Sequence, residues 1–323
     1  MKKTIYKYFA LLSAGAALTG LLYTGTAEAA VPKKEAFSTT CQMLRDDAAK
    51  TTVIDHGKLH IIFGAVNKDD RVICQSDNIL AAHNGGSSTF LEGNIEKTTI
   101  IGGKKTTVNI PYYILRDGRN ISCFMKNGEE WKMLPSSAIT NLIEKGYGLQ
   151  ELFADNKTAE CLNETEKGRT VVFYTDPLPM TELFYSLVSA ANIFPAPDFG
   201  PDFRRKVRPT EIYVRQDYTG GIISDINADV TWLVQDYLKQ HPQALTADEE
   251  QSALRKVLAK SEMNFHISVS NTDKKLEFHD VPADAVAFGI QIPWELLSEQ
   301  QLKEQEKAAK AEETDEDSQA EEE

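Results

Sequence analysis

Apolar and polar residues alternate with a period of two along much of the chain, which is typical of half-buried β-strands. The clearest example is the run 263–270, where Met, Phe, Ile and Val alternate with Asn, His and Ser. This alternation places the apolar side chains on one face of a strand and the polar ones on the other. Further strand-like runs are 59–63, 71–75, 98–101, 106–115, 121–126, 130–134, 170–175, 211–215, 222–229 and 276–278. Turn sequences such as Asn127-Gly128 join several of them into hairpins, so the pattern predicts an antiparallel sheet.

Helical patterns lie between these groups of strands. They cover residues 35–50, 138–145, 180–191, 232–239 and 248–260. The last of them follows Thr246-Ala247-Asp248-Glu249, which has the form of a capping box. Together the elements predict an α+β fold, in which a curved antiparallel β-sheet has one apolar face that helices cover.

The first 29 residues have the features of a cleaved secretory signal peptide. Three lysines precede an apolar run of 15 residues at 9–23, which is shorter than the roughly 20 residues of a membrane-spanning helix. The small residues at 27 and 29 predict cleavage before Ala30, with an uncleaved anchor as the competing interpretation. We therefore expect a periplasmic or secreted protein that does not span the membrane once processed, with residues 30–297 forming a single domain.

The net charge of −13 is concentrated at the C-terminus. Residues 303–323 contain ten acidic residues and three lysines, so residues 298–323 are expected to form a polar helix followed by an acidic, disordered tail. An acidic surface repels phosphate backbones, which makes nucleic acid an improbable partner.

The four cysteines are Cys41, Cys74, Cys123 and Cys161. An even number in an exported chain favours two disulfide bonds, with three possible connectivities, and free buried thiols are the alternative.

No catalytic or cofactor-binding motif occurs: there is no G-x-S-x-G, H-E-x-x-H, Walker or G-x-G-x-x-G sequence. His56 and His60 are four residues apart on a predicted strand, a separation of about 13 Å that one zinc ion does not bridge. With His83, they are expected to be surface histidines. No metal and no cofactor are therefore predicted.

Three stretches resemble the exported LolA/LppX-like carrier proteins. Residues 112–114 (YYI) and 125–132 (MKNGEEWK) are similar to a strand and hairpin of that group, and 211–222 to a second hairpin. Residues 265–270, 276–278 and 281–285 resemble its closing strands and terminal segment. The chain departs from the group in lacking proline after Gly220-Gly221 and in having no lipobox cysteine, and the second difference favours a soluble form.

The resemblance implies an antiparallel half-barrel with helices over its concave face and a hydrophobic pocket between them. It implies an exported, non-catalytic carrier for a lipid or other hydrophobic ligand. The matching inward-facing positions, assigned to the pocket wall, are Ile212, Val214, Phe265, Ile267 and Val269, with Tyr112 and Ile114 added from the first hairpin. The apolar, proline-rich segment 193–203 contains Phe194, Phe199 and Phe203, which we assign to the pocket mouth.

Two other interpretations remain open. The sheet face can be buried in a filled core. The protein would then be an envelope interaction module that binds a basic partner protein through its surface or its acidic tail. A hydrolase or metal enzyme with an unrecognised site, using His56, His60 or His83, is the third.

Overall fold

The computed structural model divides into two compact units, Met1–Val31 and Pro32–Glu323, and every residue described below belongs to the second. The described residues are 46, 56–83, 87–134, 159–175, 191, 193, 210–218, 221–271 and 276–307. The predictions for the signal peptide, for Phe194, Phe199 and Phe203, and for the tail beyond residue 307 lie outside these ranges. So do the predicted helices at 35–50, apart from Asp46, and at 138–145 and 180–191, apart from Ala191.

Eleven strands of the described chain form one antiparallel sheet that is not closed. They are β1 (His56–Val66), β2 (Arg71–His83), β3 (Ser88–Ile101), β4 (Lys104–Asp117), β5 (Asn120–Asn127), β6 (Glu130–Leu134), β7 (Ala159–Thr165), β8 (Gly168–Thr175), β9 (Thr210–Asp217), β10 (Ile222–Asp229) and β11 (Glu262–Asn271). Their order across the sheet is β6-β5-β4-β3-β2-β1-β11-β10-β9-β8-β7. The predicted large antiparallel sheet is therefore confirmed.

Strand β11 joins two meanders, β1–β6 and β7–β10. It pairs with β1 on one side, where Phe265 lies opposite Phe63, and with β10 on the other, where Phe265 lies opposite Ala228. Because side chains alternate along a strand, these three residues share one face of the sheet.

Two helices between β10 and β11 cover that face, which we call the helix-covered face. They are α1 (Thr231–Gln240) and α2 (Glu249–Leu258). Leu233 and Leu258 from these helices belong to the same buried cluster as Phe63 and Phe265. Helix α2 is capped by Asp248, whose Oδ1 accepts a hydrogen bond from the Gln251 amide at 2.7 Å.

The predicted capping box at Thr246 is therefore wrong. The Thr246 hydroxyl instead donates to the carbonyl of Gln243 at 2.8 Å, within the preceding turn.

The C-terminal segment 276–298, with α3 (Ala283–Ala287) and the 3₁₀ turn Trp294–Leu296, packs on the opposite face. Phe278 contacts Phe90 edge-on at 5.0 Å, and Asp284 accepts hydrogen bonds from Lys126 (2.7 Å) and Trp131 (3.0 Å). The predicted strand at 276–278 is wrong, because this stretch is irregular chain packed on an aromatic cluster. Residues 299–307 are helical.

The two-disulfide prediction is wrong for Cys74 and Cys123, which are free and buried. They lie on β2 and β5, three strands apart, a separation of about 14 Å at ~4.8 Å per strand. A disulfide requires Cα atoms within about 7 Å. Cys41 and the side chain of Cys161 lie outside the part of the chain that the structure describes.

Candidate ligand-binding face

Four of the predicted pocket-wall residues lie in a filled core beneath α1 and α2. Ile212, Val214 and Phe265 are 0% exposed, and Ile267 is 2% exposed. They belong to one buried cluster with the apolar side chains of both helices. These four side chains therefore support the helix-covered face from within and offer almost no surface to a ligand.

A row of less buried side chains crosses the same face. It contains Val269, which lies two residues after Ile267 on β11. The cross-strand register aligns Val269, Leu59, Asn78, Gly93, Tyr112 and Met125 on strands β11, β1, β2, β3, β4 and β5. Val269, Leu59, Tyr112 and Met125 are partly buried and pack against the core. Ile114, two residues beyond Tyr112 on β4, is also only partly buried.

We call Leu59, Tyr112, Ile114, Met125 and Val269 the apolar strip. Three of them, Tyr112, Ile114 and Val269, were assigned to the pocket from the sequence. Leu59 and Met125 were missed, although Leu59 alternates with Ile61 and Phe63 in a predicted strand. The strand register is what places Leu59 and Met125 in the same row as Tyr112 and Val269.

A polar cluster lies at the middle of the apolar strip: Asn78 stands in the same cross-strand row, Ser76 lies opposite Ile61 in the next row towards the core, and both bond to Tyr112. The Tyr112 hydroxyl donates to Asn78 Oδ1 and lies 2.9 Å from Ser76 Oγ. The Asn78 amide donates to Ser76 Oγ at 3.1 Å and to the carbonyl of Leu59 at 2.9 Å. Ser76 is 0% and Asn78 4% exposed, and Tyr112 is partly exposed. We call Ser76, Asn78 and Tyr112 the polar trio.

Gly93 provides the space for this arrangement. It lies between Asn78 and Tyr112 in the register, and a Cβ atom there would come within 2.6 Å of both Asn78 Oδ1 and Tyr112 Cε1. The tyrosine ring therefore crosses β3 at residue 93, which has no side chain, and its hydroxyl reaches Ser76 and Asn78 on β2.

The opposite face carries a groove of about 360 Å³ whose lining combines charged and apolar side chains. His60 Nδ1 lies 2.5 Å from Asp77 Oδ1, and His279 Nδ1 lies 2.8 Å from Glu92 Oε1. The hydrogen bond from His60 lowers the pKa of Asp77 below its usual value. Burial, with the nearby Glu92 carboxylate, raises the pKa of Tyr113 at the groove to about 12. The histidine and carboxylate pairs give this groove hydrogen-bonding groups beside the apolar side chains of Ile79 and Pro111.

His56 and His60 lie on strand β1, in the extended conformation that the sequence indicates. Within the described ranges, no group of three or more His, Cys, Asp or Glu side chains is arranged to hold a metal ion. In the same ranges, no helix is long and apolar enough to cross a bilayer.

Comparison with known proteins finds no matching family model and no matching curated protein. Among solved structures, LprF from Mycobacterium bovis is similar, with a TM-score of 0.39 and 11% sequence identity over 74% of this chain and 94% of that chain. At this level the similarity says nothing about what the present chain binds.

Proposed function

We propose that this protein is an exported, soluble, non-catalytic carrier that holds a lipid or other apolar ligand on the helix-covered face of a half-barrel. The apolar strip is the observation that carries the proposal. Its apolar side chains extend the buried core but are themselves only partly buried. A ligand that covered them would gain roughly 25 cal/mol for each Å² of apolar surface removed from water.

The dimensions of the apolar strip suit one acyl chain. From β11 to β5 it crosses six strands, which corresponds to about 24 Å at ~4.8 Å per strand. One acyl chain spans about half of a bilayer core that is ~30 Å thick, or about 15 Å, so the strip is long enough to hold one chain along its length. In this proposal the ligand lies across the strands, and Ile212, Val214, Phe265 and Ile267 form the rigid support behind it. Phe194, Phe199 and Phe203 remain the proposed pocket mouth.

Binding of an environment-sensitive acyl probe, followed by fluorescence, tests the proposal. Wild-type protein is expected to bind the probe saturably, and Val269→Glu to lose at least about tenfold in affinity, because a carboxylate in the apolar strip must be desolvated. Ser270→Glu is the matched control, since Ser270 is exposed on the same strand and points to the other face. Urea midpoints confirm that both variants fold. No saturable binding by the wild type, or equal binding by both variants, would refute the proposal.

The filled core beneath α1 and α2 favours a second candidate, an envelope interaction module. The side chains of this core include Phe63 and Phe265, which are 1% and 0% exposed. This candidate predicts no lipid in native mass spectra of protein from its own host. It also predicts that the protein binds a basic partner, that salt weakens this binding, and that removal of residues 303–323 abolishes it.

A further inference from the structure

We infer that the ligand carries a neutral hydroxyl-type group that docks at the polar trio of Ser76, Asn78 and Tyr112. This inference rests on the proposed carrier function and specifies the class of ligand: an uncharged amphiphile, in contrast to a fatty acid or an anionic phospholipid.

The position of the polar trio is the first argument. Tyr112 is a member of the apolar strip, and Asn78 occupies the same cross-strand row. The trio is therefore in the path of any apolar chain that lies along the strip. The Tyr112 side chain, which is only partly buried, is the member that a bound ligand reaches.

The energetic cost of the polar trio is the second argument. A hydroxyl or amide buried on an apolar face contributes little net stability even when it is hydrogen-bonded, because its bonds in the folded protein replace bonds to water. Apolar side chains of similar shape would cover the same backbone without any desolvation cost. The three polar side chains therefore stabilise this part of the face less than apolar side chains would.

A role in setting strand register does not account for the polar trio. Strands β3 and β4 pair over fourteen consecutive residues, from Ser88↔Asp117 to Ile101↔Lys104. A tight turn at Gly102 and Gly103, both with positive φ, connects them. A one-residue slip would turn every side chain of the strand to the other face, so the register is already fixed without the trio.

The chemistry of the polar trio selects the ligand group. None of its three side chains is charged, and together they contain both hydrogen-bond donors and acceptors. A hydroxyl matches them because it also donates and accepts. A carboxylate or phosphate would lose its hydration on an apolar surface without a cation in the trio to pair with, which disfavours anionic ligands.

Competition binding with three probes of one acyl length tests the inference: a monoacylglycerol, the methyl ester and the free fatty acid. The wild type is expected to prefer the monoacylglycerol to the methyl ester by about five- to tenfold, the value of one hydrogen bond, and to bind the fatty acid least. Tyr112→Phe removes only the hydroxyl and is expected to abolish this preference while methyl-ester binding persists.

Tyr213→Phe is the control, because the Tyr213 hydroxyl bonds to Glu211 on the opposite face. It is expected to retain the wild-type preference. A purely structural polar trio would lower the stability of Tyr112→Phe but leave the preference among probes unchanged.

The outcomes separate the two proposals. Equal binding of the neutral probes by the wild type, or a preference that survives Tyr112→Phe, refutes the inference and leaves the carrier function standing. Tightest binding of the fatty acid has the same consequence. No binding of any probe refutes both.

Discussion

Replacing Gly93 with alanine would place a methyl group where the Tyr112 ring now lies. The new Cβ would be 2.6 Å from Tyr112 Cε1 and from Asn78 Oδ1, a distance at which one group must move. Because the Asn78 side chain is held by bonds to Ser76 and Leu59, the tyrosine ring is the group expected to swing away. Its hydroxyl then loses its bonds to Ser76 and Asn78.

The size of the effect follows from these contacts. Two lost hydrogen bonds cost about 0.5–1.5 kcal/mol each. The buried Asn78 Oδ1 keeps only the long bond from Ser76 Oγ at 3.4 Å, which adds about 1 kcal/mol, the lower end of the penalty for an unsatisfied buried acceptor. Alanine also has less chain entropy than glycine in the unfolded state, which offsets the loss of stability by about 0.4–1 kcal/mol. We therefore expect Gly93→Ala to lower the free energy of unfolding by about 1–4 kcal/mol.

Gly64→Ala is the matched control. Gly64 is also inside a strand, neither glycine has positive φ, and a Cβ at Gly64 would meet nothing within 4 Å. This variant should be neutral or more stable by up to about 1 kcal/mol. Urea unfolding followed by fluorescence measures both. In a Tyr112→Ala background the cost of Gly93→Ala should fall, because the clash with the ring is gone and only the close contact with Asn78 Oδ1 remains. If the two glycine variants differ by less than about 0.5 kcal/mol, the description of the polar trio is incorrect.

Two further predictions concern titratable groups. Since the hydrogen bond from His60 lowers the pKa of Asp77, the ionised carboxylate contributes stability that is complete above the unfolded pKa of about 3.9 and is lost as the pH falls through the lower folded value. Asp77→Asn should therefore flatten the acid-induced loss of stability, measured as urea midpoints between about pH 2 and pH 5, and an unchanged acid profile would contradict this. Burial raises the pKa of Cys74 and Cys123 to about 12. Both thiols should therefore resist alkylation in the native protein and react after unfolding without reductant, as measured by mass spectrometry. Modification of either thiol in the folded protein would contradict the packing described above.

The period-two pattern predicted most strands but not their lengths. Strand β2 was predicted at 71–75 and extends to His83, and β3 was predicted at 98–101 and begins at Ser88. The missing halves contain Ser76, Asn78 and Gly93, whose positions face the apolar side of the sheet and so break the alternation. Local pattern fails here because the polar residues are stabilised by partners on other strands, which only the register reveals.

The candidate site was recoverable from sequence in part. Alternation placed Phe265, Ile267 and Val269 on one face, as the register with β1 shows. It did not distinguish the fully buried Phe265 from the partly exposed Val269, because burial depends on where α1 and α2 end over the sheet. The alternation at 276–278 was misleading for a related reason: Phe278 is buried by an aromatic cluster and not by strand pairing.

The position of β11 has a consequence for biosynthesis. The ribosome makes β1 first and β11 last among the strands, yet the two are neighbours at the middle of the sheet. Until β11 emerges, β1 has an unpaired edge, and the two meanders have no common strand between them. Pairing between the two ends of a chain is slow and leaves strand edges open to aggregation. A nascent chain therefore cannot complete its core before its C-terminal part has been synthesised, and a truncation before β11 would yield two unconnected half-sheets.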